Sequence, residues 1–239
     1  MSLNYKLGDI NAESYVSTSF ANTYFAARGA GVSNWTALST TATKEAYLKQ
    51  ACSELDFNNF IGNKYYESQS LQFPRDDHET YSGACASPGI SSFKGSNLWS
   101  SEYNAIPTDY FKDGTVHITS GTNKGDIRII ASSNSSNGMI HVASSFSATL
   151  DTTSNYLVFA PIYSEIQKAQ CEQVIYNLTG DLSRYLEFKS QGISGAMVGD
   201  TSVSFQKYGN SPITLNVLGF YAKRYISRFL RKDTRMSRA

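Results

Sequence analysis

Apolar residues recur at helical spacing near the N terminus of the chain. In two stretches these residues lie three or four positions apart. The first contains Phe20, Ala21, Tyr24 and Phe25, and the second contains Leu48, Ala51, Cys52 and Leu55. Such spacing aligns side chains on one face of a helix. Residues 1–75 are therefore predicted to be mainly helical, with an extended stretch that ends at Pro74.

The pattern changes to that of strands in the middle of the chain. Within residues 107–160, the short runs TVHIT, DIRII, MIHVA and YLVFA are separated by turn sequences such as SGTNKGD and SSNSSNG. This predicts a small antiparallel β-barrel or sandwich. Residues 76–106, which precede it, are rich in Ser and Gly and show no period, so they are predicted to form a long loop or arm.

Helical spacing returns after residue 160. A helix that begins near Pro161 is apolar around most of its circumference, and the run TSVSF alternates as a strand does. A last, long helix is predicted to begin at Ser211 and Pro212, a favourable N-cap and first helical residue. Together these patterns predict an α+β fold. A helical bundle (1–75 and 161–239) carries the inserted β-domain (107–160) and ends in a long C-terminal helix and tail.

Positive charge is concentrated in the last helix and tail. The chain has a net charge of +1, but residues 221–239 contain seven Lys and Arg residues and one acid, Asp233, which gives +6 there and −5 elsewhere. One face of the last helix is apolar, and the other carries four basic residues: Lys223, Arg224, Arg228 and Arg231. Such a face fits a solvated surface, a nucleic-acid contact, an anionic membrane surface or an acidic protein partner. Charge alone does not choose among them.

Few residues are arranged for catalysis or metal binding. His78 stands in the run RDDHE, but adjacent residues rarely point at one ion, so this stretch is predicted to be a solvated polar loop. His117 and His141 each lie between apolar residues of a strand and are predicted to face solvent. The sequence shows no nucleophile motif and no phosphate-binding loop. We therefore expect no enzymatic activity, no metal and no cofactor.

The three cysteines, Cys52, Cys85 and Cys171, are odd in number and widely spaced, so no disulfide framework is expected. Cys52 and Cys171 are predicted to be small buried residues of helices. The sequence shows no signal peptide and no run of apolar residues long enough to cross a bilayer, so folding in a reducing cytoplasm is expected.

The N-terminal motifs, taken in order, resemble those of a known family. The segments SYVSTSFANTYFAARG, KEAYLKQACSELD and LQFPR are similar to the head–tail adaptor (connector) proteins of tailed bacteriophages, some of which carry a DnaT-like label. The matching positions are Tyr15, Tyr24, Phe25, Arg28, Gly29, Trp35, Leu48, Ala51, Phe73, Pro74 and Arg75. Later segments, IYSEIQKAQCEQVIYNL and VGDTSVSFQKYG, agree as well. The inserted segment resembles a β-module of phage structural proteins, through Gly114, Ile118, Ser120, Gly121, Asn123, Gly125 and Arg128.

The resemblance implies a virion structural protein of the neck, assembled in the host cytoplasm. It implies a homo-oligomeric ring of about twelve subunits that joins the portal protein to a downstream tail or nozzle protein, with no membrane contact. The C-terminal segment would bind the portal, or face genomic DNA in the channel. The residues expected to do so are Tyr221, Arg224, Tyr225, Arg228, Phe229, Arg231, Lys232, Arg235 and Arg238. The alternative is a nucleic-acid-binding replication accessory, and the basic helix is the feature that supports it.

Overall fold

The computed structural model describes residues 3–29, 32–87, 89–95, 97–98, 107–179, 195–198, 201–204 and 218–231. The chain divides into two compact units. The barrel unit comprises Met1–Ser17, Asn59–Gln167 and Phe229–Ala239, and the helical unit comprises Thr18–Asn58 and Lys168–Arg228.

A closed antiparallel β-barrel of six strands forms the centre of the barrel unit. Around the barrel the strands follow the order β1-β2-β5-β4-β3-β6, and β6 pairs with β1 to complete the circle. Closure leaves no strand edge of this sheet unpaired. The strands are β1 (Thr80–Ala86), β2 (Ser92–Gly95), β3 (Thr115–Ser120), β4 (Ile127–Asn134), β5 (Met139–Val142) and β6 (Asn155–Phe159).

The interior of the barrel is filled by alternate residues of its strands. Val116 and Ile118 of β3 face Tyr156 and Val158 of β6, and all four are almost fully buried. The remaining core side chains come from the other strands and from the connections, and include Phe93, Phe111, Ile130, Ile140 and Phe146. The period of two predicted for residues 107–160 is confirmed in these strands.

The turn between β3 and β4 shows why its glycine is needed. Gly121 has a φ of 73°, and a Cβ atom at this position would lie 2.6 Å from the backbone of Ser154. Only glycine combines that conformation with so close an approach of two backbones. The prediction of a turn in SGTNKGD is confirmed, because Ser120 ends β3 and Ile127 begins β4.

The predicted fold class, a helical bundle with an inserted barrel, is wrong. The barrel is the larger feature, and it takes two strands from residues 76–106, which were predicted to be a loop or arm. Strand β1 has the sequence TYSGACA, and only its Cys85 is buried. Apart from Tyr81 its side chains are small, and they carry no hydrophobic period. The strand forms because five of its residues pair with β6 from Thr80 to Ala84.

The helices of the helical unit follow the apolar stripes of the sequence. Leu48, Ala51, Cys52 and Leu55 are buried on one face of α3, as predicted, and the Thr40 side chain accepts a hydrogen bond from the backbone N–H of Thr43 to cap it. The helices are α1 (Thr18–Arg28), α2 (Ser33–Thr36), α3 (Thr41–Asp56), α4 (Ser164–Thr179) and α5 (Phe220–Ile226). A 3-10 turn, Ser227–Phe229, follows α5, and the strands β7 (Gly195–Val198) and β8 (Thr201–Ser204) pair antiparallel.

The last helix is shorter than predicted. Its predicted start at Ser211 and Pro212 lies outside the described residues. Leu218 and Gly219 are not helical, and Gly219 has an extended ψ of 149°. A helix that continues through these two residues is therefore excluded, and α5 begins at Phe220.

Candidate functional site

Helix α5 separates apolar from basic side chains, as the sequence predicted. Ala222 and Ile226 are fully buried, whereas Lys223, Arg224 and Arg228 are exposed. Between Leu218 and Arg231 the sequence contains four basic residues and no acid. We call the exposed part of this helix and the turn after it the α5 surface. Its residues are Phe220, Tyr221, Lys223, Arg224 and Arg228.

Two large aromatic side chains at the N-terminal end of α5 are exposed to solvent. Phe220 is 74% exposed and Tyr221 is 55% exposed. Their ring centroids are 5.5 Å apart and the planes meet at 78°, so the two rings do not stack on each other's faces. Exposed aromatic rings at adjacent positions cost hydration free energy, and this makes them candidates for contact with a partner.

The charges of Lys223 and Arg224 are not neutralised within the described part of the chain. Neither residue forms a salt bridge to a described acidic residue. By contrast, Arg28 pairs with Glu172 at 2.7 Å and Arg128 pairs with Asp126 at 3.0 Å. Within the described residues, the charges of Lys223 and Arg224 therefore remain available to an anionic ligand.

The inner side of α5 is joined to a buried polar cluster. Tyr225 interacts with the hydroxyl of Tyr24, which donates a hydrogen bond of 2.7 Å to Glu172. Arg28 donates two further hydrogen bonds to the same carboxylate, at 2.7 and 2.9 Å. Burial, and then the hydrogen bond to Glu172, raise the pKa of Tyr24, so its hydroxyl remains a donor. The side chain of Tyr225, which was predicted to bind a portal, thus connects α5 to the cluster around Glu172.

Phe229 and Arg231 are bound within the barrel unit. The backbone N–H of Ile61 donates to Phe229 at 2.8 Å, and that of Arg231 donates to Asn59 at 2.9 Å. The Arg231 side chain donates to the carbonyl of Phe60 at 3.1 Å. The Phe229 ring packs against two other aromatic rings, those of Phe73 and Tyr163. The other predicted portal residues Lys232, Arg235 and Arg238 lie outside the described residues.

Two histidines that were predicted to be exposed are buried. His78 is 5% exposed, and its Nε2 atom lies 2.8 Å from the carbonyl of Ala160. His117 is 7% exposed, and its Nε2 atom lies 2.7 Å from the carbonyl of Leu7. The N-terminal segment covers the outer side of β3, because the backbone N–H of Leu7 also donates to Thr115. Burial lowers the pKa of both rings.

The remaining histidine and the cysteines differ in their exposure. His141 is exposed and the three cysteines are buried. The described residues contain no cluster of His, Cys, Asp and Glu that could hold a metal ion. Within that same part of the chain, no helix is long and apolar enough to cross a membrane.

The motif residues that carry the family resemblance hold the fold together. In the barrel unit, the Tyr15 hydroxyl accepts the backbone N–H groups of Gln72 and Phe73 at 3.0 and 3.2 Å. In the helical unit, the rings of Phe25 and Trp35 lie 4.8 Å apart, and Trp35 Nε1 donates to Asn22 at 3.0 Å. None of these motif side chains belongs to the α5 surface.

Phe220 belongs to this candidate site but was not among the residues predicted from the sequence. Its position directly before Tyr221 and the Lys-Arg pair was a usable signal, because aromatic and basic residues together are typical of surfaces that bind nucleic acid. Nothing in the sequence indicated that Glu172 is buried beneath α5, because a single acidic residue in a helix is usually solvated.

A family model described as "Putative DnaT-like ssDNA binding protein" matches residues 7–92. The matched stretch contains α1, α2, α3 and β1, and ends at the first residue of β2. It includes Tyr24 and Arg28 of the buried cluster and excludes α5 itself. No curated protein matches the chain significantly.

Proposed function

We propose that this protein binds single-stranded nucleic acid and that the α5 surface makes a principal contact. The observation that carries the proposal is the exposed pair Phe220 and Tyr221 beside Lys223 and Arg224, two exposed cations that form no salt bridge to a described acidic residue. The family description for residues 7–92 supports the same ligand class. The role is one of binding, without catalysis or a cofactor.

Single strands differ from duplexes in the chemical groups that they offer to such a surface. Their bases are free to stack on aromatic rings, which contributes about 1–3 kcal/mol per base, and their phosphates attract basic side chains. Duplex DNA hides the faces of its bases. We therefore expect the α5 surface to prefer a single strand over a duplex of the same length.

The number of cations sets the expected salt dependence. If Lys223 and Arg224 each neutralise one phosphate, the slope of log K against log salt is about −1.4 for a single strand, at about −0.7 per phosphate. Contacts elsewhere on the protein would make the slope steeper. This contribution is electrostatic and independent of base sequence.

Fluorescence anisotropy with a labelled 20-nucleotide oligo(dT) tests the proposal. The double variant Lys223→Glu/Arg224→Glu should weaken binding at low salt and flatten the salt slope by about 1.4. Replacing both rings, in Phe220→Ala/Tyr221→Ala, should weaken binding about tenfold or more while leaving the slope unchanged.

The matched control reverses two charges elsewhere. Lys112 and Lys124 are exposed lysines of the barrel unit, so Lys112→Glu/Lys124→Glu makes the same change in net charge. It should leave affinity close to that of the wild type. Equal losses in both charge-reversal variants would mean that net charge, and not the α5 surface, governs binding.

A second candidate function is the head–tail connector of a tailed bacteriophage. It is supported by the ordered motifs from Tyr15 to Arg75 and by large apolar side chains exposed in each unit, such as Phe57 at 89% and Ile61 at 53%. Exposed side chains of this kind suit a protein that meets neighbouring subunits. In this role the C-terminal segment would contact a portal protein.

Sedimentation of the purified protein, alone and with a phage portal protein, tests the second candidate. A ring of about twelve subunits, or co-sedimentation with the portal, would support it. A monomer that binds oligo(dT) and ignores the portal would exclude the connector role and leave the nucleic-acid role in place.

A further inference from the structure

The start of α5 is held by a buried side-chain amide of another helix. Gly219, the residue before α5, provides no side-chain cap to the helix. Its backbone N–H donates a hydrogen bond of 2.8 Å to Oε1 of Gln173 in α4. The Gln173 side chain is fully buried. An unpaired N–H at this depth would cost about 1–3 kcal/mol, so this bond fixes where the helix begins.

The orientation of the Gln173 amide is set by its other neighbours. Its Nε2 atom donates to Oε2 of Glu54 in α3 at 2.7 Å and to Oδ1 of Asn177 at 3.1 Å. Asn177 also donates to the same Glu54 oxygen, at 2.8 Å. An ionised carboxylate only accepts hydrogen bonds, so the nitrogen of Gln173 faces Glu54 and its oxygen must face Gly219.

Close packing also constrains the position of Gly219. A Cβ atom on this residue would lie 2.8 Å from Cγ of Tyr176, a distance that real Cβ atoms do not reach. Gly219 therefore packs directly against the Tyr176 side chain, and no larger residue fits there without a shift of one of them. The hydrogen bond to Gln173 and the contact with Tyr176 together constrain Gly219, the residue from which α5 starts.

We propose that Gln173 is a positioning residue for the α5 surface. It connects Glu54, which lies in the matched stretch 7–92, to the helix that presents the basic and aromatic side chains. The inference rests on the proposed function, since positioning matters only if the surface binds a ligand. A helix fixed before binding loses less conformational entropy when the strand associates.

Gln173→Glu tests the connection with little change in size. The new carboxylate still accepts the Gly219 N–H but no longer donates to Glu54, and two carboxylates then face each other. Amide exchange in residues 220–226 should become about tenfold faster or more, and affinity for oligo(dT) should fall. The exchanged pair Glu54→Gln/Gln173→Glu restores one donor and one acceptor, and should recover both readouts.

Two further variants complete the experiment. Gln50→Ala is the control, because Gln50 donates a different hydrogen bond of 2.9 Å to Glu54 and is not the residue that binds Gly219. This variant should leave amide exchange in α5 unchanged. Gly219→Ala pushes the peptide away from Tyr176 and should act in the same direction as Gln173→Glu. It provides the comparison if the latter protein does not fold.

The outcomes separate this inference from the proposed function. Unchanged exchange in Gln173→Glu, or faster exchange with unchanged affinity, overturns the positioning role. The positioning role is also overturned if amide exchange in α5 stays fast in the double variant Glu54→Gln/Gln173→Glu. If the wild-type protein does not bind the oligonucleotide, the proposed function and the positioning role both fall, while exchange still reports whether Gln173 holds α5.

Discussion

Replacing Arg28 tests the buried cluster that supports α5. Glu172 is 6% exposed, and three hydrogen bonds of 2.7–2.9 Å satisfy its carboxylate, two of them from Arg28. Arg28→Met removes both of these bonds and the positive charge while it keeps much of the aliphatic volume. The carboxylate is then left buried with the Tyr24 hydroxyl.

The expected magnitude follows from the burial of the two partners. Breaking a buried ion pair typically costs 3–5 kcal/mol. The Arg28 side chain is 22% exposed, so water replaces part of what is lost, and we expect a loss of about 3 kcal/mol in the free energy of unfolding. The double variant Arg28→Met/Glu172→Met removes both charges and should recover most of that loss, because no unpaired charge remains.

Urea unfolding followed by circular dichroism measures both variants. The reasoning predicts a lower midpoint with an unchanged slope for Arg28→Met, and a midpoint near that of the wild type for the double variant. A loss below about 1 kcal/mol in Arg28→Met would refute the account, because that is the value of a solvated surface pair. Equal losses in the single and double variants would show that packing and not charge is the cause.

The remaining predictions concern the barrel unit. Because burial lowers the pKa of His78 and His117, the unfolded chain protonates first as pH falls below about 6.5. Stability should therefore fall from pH 7 to pH 5 by up to about 1.4 kcal/mol per pH unit for each ring, and His117→Gln should reduce this slope in urea titrations. Gly121→Ala should lower the melting temperature more than Gly125→Ala, since both glycines have positive φ but only Gly121 lies against another backbone. Equal shifts in the two variants would contradict that explanation.

The amphipathic elements could be predicted from the sequence because the local spacing of their apolar residues shows which face of each element is buried. The buried face of α3, the alternation in β3 and β6, and the basic side of α5 all follow from the local spacing of apolar residues. The turn at Gly121 followed from its residue types in the same way.

The features that were missed depend on residues distant in the sequence. Apart from Tyr81, strand β1 has small side chains, and it forms because its backbone pairs with that of β6. A period of two shows which way His117 points but does not show that the segment around Leu7 covers that side. Glu172 and Gln173 are buried because partners from α1, α3 and the start of α5 satisfy them, and no local pattern contains that information.

The salt dependence of oligo(dT) binding tests the central claim most directly. The account predicts that the wild-type protein binds the single strand more tightly than a duplex. It also predicts a slope of about −1.4 or steeper, which Lys223→Glu/Arg224→Glu flattens by about 1.4 and Lys112→Glu/Lys124→Glu does not. Absence of binding at low salt, or an equal response of the two charge-reversal variants, would contradict the assignment of the α5 surface to single-stranded nucleic acid.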